Sequence, residues 1–145
     1  VQVNHPVAMG APPVLNQGVV SRAEPFILSP QVTNIQVSNI TGAGVALRSA
    51  DIAMKVSPGI GIQQKVNLLL NEFSSGAAIP VPHSYSFPFV QAVPLSPVDP
   101  VEDIVIPIKN VAAGTYLARI QVDGAESPLG ADANGHYNSP QLIIT

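Results

Sequence analysis

The chain has 145 residues, of which 46% are hydrophobic and only 10% charged, with six Lys and Arg against nine Asp and Glu for a net charge of −3. That length is typical of one domain and suffices to bury a sizeable core without staples. The lack of Cys excludes disulfides and thiolate metal sites, and six scattered basic residues do not make the cationic surface that a nucleic acid requires.

Gly (11) and Pro (15) together exceed their usual share of ~12%. With so few Lys and Glu, this composition favours many turns over long helices. The chain opens on Val1 rather than Met and reads as a fragment or a processed product. No basic stretch leading into an apolar one marks a signal peptide, and no apolar run approaches the ~18 residues of a membrane span. Residues 1–25 carry Pro6, Pro12, Pro13 and Pro25 and show no period of either kind. Proline fixes φ and removes a donor, so this stretch is expected to be a semi-extended, proline-rich linker. A first strand of the domain is the competing reading.

From residue 26 to 145 the period is two. Ile35 and Val37 alternate with polar neighbours, as do Ile52, Met54 and Val56, then Val66, Leu68 and Leu70. Tyr85, Phe87 and Phe89 follow, then Ile104, Ile106 and Ile108, then Tyr116, Ala118, Ile120 and Val122, and a last apolar run at 142–144. Such alternation marks strands with one buried face. Turn signals separate the runs at 41–44, at 57–61, at Pro94, Pro97 and Pro100, at 112–114, and at Asp123-Gly124, a hairpin dipeptide suited to φ > 0. About seven strands with turns between them predict an all-β, immunoglobulin-like antiparallel β-sandwich with Greek-key connections. Its expected core is Ile35, Ile52, Met54, Val56, Val66, Leu68, Leu70, Ile104, Ile106, Tyr116, Ala118, Ile120 and Val122.

Gly114-Thr115-Tyr116 opens the sixth run directly after a turn. In immunoglobulin-like sandwiches a Tyr there folds back across the corner between strands E and F, and its hydroxyl bonds backbone a few residues upstream. Tyr116 is therefore the candidate tyrosine corner, with an ordinary buried Tyr as the other reading.

Motifs that would carry chemistry are weak. His5, His83 and His136 share no strand and read as solvated loop residues. Serines are numerous, but no G-x-S-x-G elbow frames one. Glu102 and Asp103 are adjacent, and neighbours on a strand face opposite sides, so they make no acid–base pair. The 123–135 stretch fails the calcium-loop pattern when Gly135 is set at its glycine position, which leaves an adventitious ion between Asp123, Glu126 and Asp132 as the lesser reading beside a polar loop. Gly42-Ala43-Gly44 and Gly59-Ile60-Gly61 lack the Lys and the helix of a phosphate loop. Asn39-Ile40-Thr41 is a formal glycosylation sequon that says nothing about compartment. No catalytic, metal or cofactor set emerges. Tyr85, Phe87 and Phe89 are either an exposed stripe for sugars or proteins or the core face of a strand. Leu69, Val105 and Leu117 sit on outward positions and are further candidates for a contact surface.

The runs Lys65–Glu72, Tyr85–Pro88 and above all Gly114–Leu129 resemble the C-terminal IPT/TIG-like region of the tail-cap, or tube-terminator, proteins of phage-tail-like bacterial contractile injection systems. In that family an N-terminal domain caps tube and sheath, and a proline-rich linker leads to a sandwich. The resemblance covers residues 26–145 only, with no capping-domain sequence. It implies a non-enzymatic structural or protein-interaction module, without cofactor, whose partners are sheath, tube or cap subunits, with oligomers formed through the full-length protein. It also implies assembly in the bacterial cytoplasm into a particle that is then released or membrane-associated. A cell-surface carbohydrate- or protein-binding module on the same scaffold is the competing class, which an exposed aromatic stripe would favour.

Overall fold

The computed structural model describes residues 26–73, 81–90 and 100–145. The stretch 1–25 read as a linker lies outside them, as do Pro94 and Pro97. Described strands run in chain order as β1 (Gln31–Thr41), β2 (Arg48–Ile60), β3 (Val66–Glu72), β4 (Ser84–Pro88), β5 (Val101–Val111), β6 (Gly114–Val122), β7 (Ala125–Glu126), β8 (Gly130–Ala131), β9 (Tyr137–Ser139) and β10 (Gln141–Ile144). No helix occurs among the described residues. The seven alternating runs are β1 to β6 and β10, while β7, β8 and β9 are short additions in the stretch between β6 and β10.

Among the described residues two antiparallel sheets enclose the core. One has the order β1-β2-β5 and the other β10-β6-β3-β4, with β7 paired to the end of β6. β8 and β9 make a separate small hairpin. One hydrophobic cluster joins the inner faces of both sheets: Ile52, Met54 and Val56 of β2 and Ile104, Ile106 and Ile108 of β5 meet Leu68 and Leu70 of β3 and Tyr116, Ala118 and Ile120 of β6. The fold is a β-sandwich. Each of these large side chains, taken fully out of water, contributes about 1.5–3 kcal/mol.

The core differs from the expected set in particular places. Ile35 and Val122 are half-buried and pack against the core instead of lying within it, because Ile35 sits on the edge strand β1 and Val122 on the last residue of β6. Ala50, Ile60, Ile108, Val111, Leu142 and Ile144 complete the core. The sequence suggests a turn at 57–61, but β2 continues through that stretch across a register shift and returns Ile60 to the interior.

Register shifts explain where strict alternation breaks. In β1 the inward positions are Val32, Ile35 and Val37, and the extra residue between Val32 and Ile35 falls in the shift between Thr33 and Gln36. In β5 the inward spacing stretches from Ile108 to Val111, opposite Ala50 and Arg48. Both irregularities contain an Asn with positive φ, Asn34 at 53° and Asn110 at 59°. Asn tolerates the left-handed region better than other non-glycine residues, so it supplies the extra unit of a bulge. The β6–β7 hairpin turns on Asp123 and Gly124, both at positive φ, as a two-residue turn with right-handed strand twist requires.

β1 starts beside the end of β2, and β10 ends beside the start of β6. Residues 26–30 therefore enter at one end of the sandwich and Ile144 leaves at the other. We call these the entry and exit ends.

Candidate functional site

At the exit end, β3, β4 and the β5–β6 turn meet. Pairing of Leu70 with Tyr85 and of Leu68 with Phe87 sets β4 in register, so that Tyr85 and Phe87 face the same way as the buried leucines. The Tyr85, Phe87 and Phe89 stripe thus leans on the core and is half-buried. The Tyr85 and Phe87 rings stack at 6.2 Å, and His83 stacks on Tyr85 at 6.1 Å. Tyr85 meets Tyr116 edge to face at 5.9 Å.

Tyr116 is fully buried. Its hydroxyl donates to the carbonyl of Ala112 at 2.7 Å, four residues upstream in the β5–β6 turn. The amide of Ala112 donates to the Tyr85 hydroxyl at 3.1 Å. Burial, reinforced by the neighbouring Tyr85 and Glu72, pushes the Tyr116 phenol well above its ordinary range.

Glu72 closes β3 beside this group. Its Oε2 accepts from the His83 amide at 2.8 Å and contacts His83 Nδ1 at 2.6 Å. The bond from the His83 amide, then that from its ring, hold the Glu72 carboxyl below its usual value. His83 is an exposed loop residue, as the sequence suggests, and these bonds tie it to β3. No local signal in the sequence points to that contact, which the β3–β4 register creates.

The outer face of the second sheet carries a polar chain across four strands. Ser84 Oγ of β4 accepts from Asn71 Nδ2 of β3 at 2.9 Å, and Asn71 Oδ1 accepts from Arg119 of β6 at 3.0 Å. Arg119 also pairs with Glu126 of β7. Leu69 and Leu117 lie half-buried on this face, Leu69 opposite Arg119 and Leu117 opposite Asn71. Val105 lies on the outer face of the other sheet, 54% exposed, in the row Gln36–Ala53–Val105. The structure therefore divides the six candidate surface residues among three places: the inner edge at β4, the outer face of the second sheet, and the outer face of the first.

The loop carboxylates do not gather. Asp123 accepts from the Lys65 amide at 2.9 Å, Glu126 is engaged with Arg119, and Asp132 Oδ1 accepts from the amides of Asn134 and His136. Among the described residues no group of three His, Asp or Glu is placed to hold a metal. Glu102 pairs with Lys55 at 2.9 Å, a bond that raises the Lys55 ammonium above its ordinary value. His5 lies outside the described residues.

The model of the family described as Domain of unknown function (DUF8756) matches residues 25–144. The chain belongs to that family. No curated protein and no solved structure matches it. The DUF8756 match runs from the residue before the first described one, Phe26, to the last residue of β10, and so takes in both sheets, the tyrosine pair and the polar chain.

Proposed function

We propose that this DUF8756 domain is a non-enzymatic structural and protein-interaction module with immunoglobulin-like Greek-key topology, working as an accessory domain of a tail-cap protein in a phage-tail-like contractile injection particle. The strand order β1-β2-β5 against β10-β6-β3-β4 supports the topological part. The sequence resemblance over Lys65–Glu72, Tyr85–Pro88 and Gly114–Leu129 supports the particle. One observation carries the functional part: the polar groups with chemical potential are spent on the fold itself. Tyr85 and Tyr116 hold the Ala112 backbone, Glu72 holds His83, and Arg119 is shared by Asn71 and Glu126. Among the described residues the rest of the surface is mostly amides, hydroxyls and scattered aliphatic side chains, which cost less to desolvate at a protein contact than charged groups do.

The test is deletion of residues 26–145 from the full-length protein in a strain that makes such particles, followed by purification and crosslinking. The expected result is loss of a crosslink to a sheath, tube or cap subunit together with a defect in assembly or firing. Particles that assemble, bind and fire normally, with turnover or tight sugar binding by the isolated chain, would replace this reading with an enzymatic or cell-surface one.

A further inference from the structure

The tip of the β8–β9 hairpin sets an asparagine beside a glycine. The chain has nine asparagines, and Asn134 alone is followed by Gly. That neighbour governs a reaction open to any asparagine, the attack of the next residue's backbone nitrogen on the side-chain carbonyl. A Cβ on the next residue obstructs the approach, and glycine has none. Asn34, Asn39, Asn67 and Asn110 precede Ile, Ile, Leu and Val, whose bulk blocks it. Asn71 is held by other means, its carboxamide bonded to Ser84 and Arg119.

The Asn134–Gly135 pair is open to solvent. Both residues are exposed, and among the described residues the Asn134 carboxamide has no hydrogen-bond partner. Even a Cβ added to Gly135 would meet no atom within 4 Å. The chain's other pair of this kind, Asp123-Gly124, is locked. Asp123 Oδ1 accepts from the Lys65 amide at 2.9 Å, and the Asp123 amide donates to Lys65 O at 2.9 Å.

We infer that Asn134 is a self-modification site, converted to aspartate and isoaspartate through Gly135. The Gly135 nitrogen bonds to Asn134 Cγ and gives up its proton. The side-chain nitrogen leaves with that proton as ammonia, and a cyclic imide remains. Water then opens the imide. Breaking the new bond to Cγ yields aspartate. Breaking the original peptide bond yields isoaspartate, whose main chain is one methylene longer.

The fold is the brake on this reaction. Gly135 donates its N–H to Asp132 O at 3.0 Å, and Asp132 Oδ1 accepts from the amides of Asn134 at 2.8 Å and His136 at 2.9 Å. The attacking nitrogen is engaged while the tip is closed, so the reaction runs through local opening, with Asp132 as the latch. Its products work against reclosure. Each sets a second carboxylate two residues from that of Asp132, and the longer isoaspartyl backbone shifts the amides that Asp132 holds. β8 and β9 are two and three residues long and lie outside the core cluster, so the tip opens without unfolding the sandwich. The inference goes beyond the interaction-module reading and does not rest on it.

Mass spectrometry of the full chain, held folded at mildly alkaline pH and sampled over time, tests it. Wild type is expected to show the mass gain of an amide-to-acid exchange, which fragmentation places on residue 134 before any other asparagine, with both aspartyl and isoaspartyl products. Asn134→Gln should lose the signal at that position, because its longer side chain closes a less favourable ring. Asp132→Ala should react about fivefold faster, the factor for one net hydrogen bond lost from the closed tip. Wild type unfolded in urea, which needs no substitution, should be faster still. A folded chain that keeps its amide at 134, exchange that begins at another asparagine, an Asp132→Ala rate equal to wild type, or a folded wild type as fast as the unfolded one would each overturn the inference.

Discussion

Tyr85 and Tyr116 grip the two polar groups of one residue: the hydroxyl of Tyr85 accepts from the Ala112 amide at 3.1 Å, and that of Tyr116 donates to the Ala112 carbonyl at 2.7 Å. Tyr85 stands on β4 and Tyr116 on β6, so the pair anchors the β5–β6 turn, which connects the two sheets, to the second sheet. Removing the Tyr116 hydroxyl leaves the partly buried Ala112 carbonyl without its donor, so Tyr116→Phe should lower stability by about 1–2 kcal/mol. Urea unfolding of Tyr116→Phe, Tyr85→Phe and the double variant checks this, and the double variant should lose less than the sum because both hydroxyls serve the same backbone. A Tyr116→Phe variant as stable as wild type would mean that the hydroxyl bond is replaced by water at no cost.

The same burial sets an alkaline behaviour. The folded-state pKa of the Tyr116 phenol is raised above the ordinary value of 10.0. A group raised in this way contributes stability that is whole below its unfolded pKa and is lost as the pH climbs from there toward the folded one. Stability should therefore begin to fall above about pH 10. Phenolate absorbance should show a component that ionises only well above the ordinary phenol range, and Tyr116→Phe should remove it.

Acid acts through Glu72. Its folded pKa is depressed below 4.5 by the bonds from His83. The sign is opposite: the contribution is present above the unfolded pKa, about 4.3, and is lost as the pH falls through the folded one. Between pH 5 and 3 the unfolding midpoint of wild type should drop more steeply than that of Glu72→Gln, and the two curves should converge at the acid end. Parallel curves would show that the contact to His83 adds nothing.

Much of the sandwich was legible because burial imposes a period of two. Ile52, Met54 and Val56, with Leu68 and Leu70 and with Ala118 and Ile120, lie inward as their alternation requires. What alternation hides are its interruptions. Ile60 and Val111 were missed because each follows a register shift that resets the count, and Leu142 and Ile144 because a run of four residues is too short to show a face. The aromatic stripe was ambiguous in sequence for a physical reason: Tyr85 and Phe87 take inward positions on a strand that has a neighbour on one side only among the described residues, and are half-buried. The Glu72–His83 bond and the inward Arg48 left no trace at all, since each depends on pairing between residues that no local pattern links.

The bulges themselves yield a test of sign. Asn110 is exposed, at φ of 59°, in the irregular stretch of β5 between Ile108 and Val111. An alanine there must put its Cβ into the left-handed region, which costs about 1–2 kcal/mol for residues other than Gly, with Asn favoured among the rest. Glycine meets no such penalty and loses only backbone entropy, about 0.5–1 kcal/mol. Asn110→Gly should therefore be more stable than Asn110→Ala, by about 1 kcal/mol. At Gln36, an exposed residue of β1 that pairs in register with Ala53, the ranking should reverse, with Ala above Gly by roughly 0.5–1 kcal/mol. Urea midpoints of the four variants decide the matter. If Ala outranks Gly at both positions, Asn110 does not occupy the left-handed region in solution, and the step from Ile108 to Val111 must be made by some other distortion of the strand.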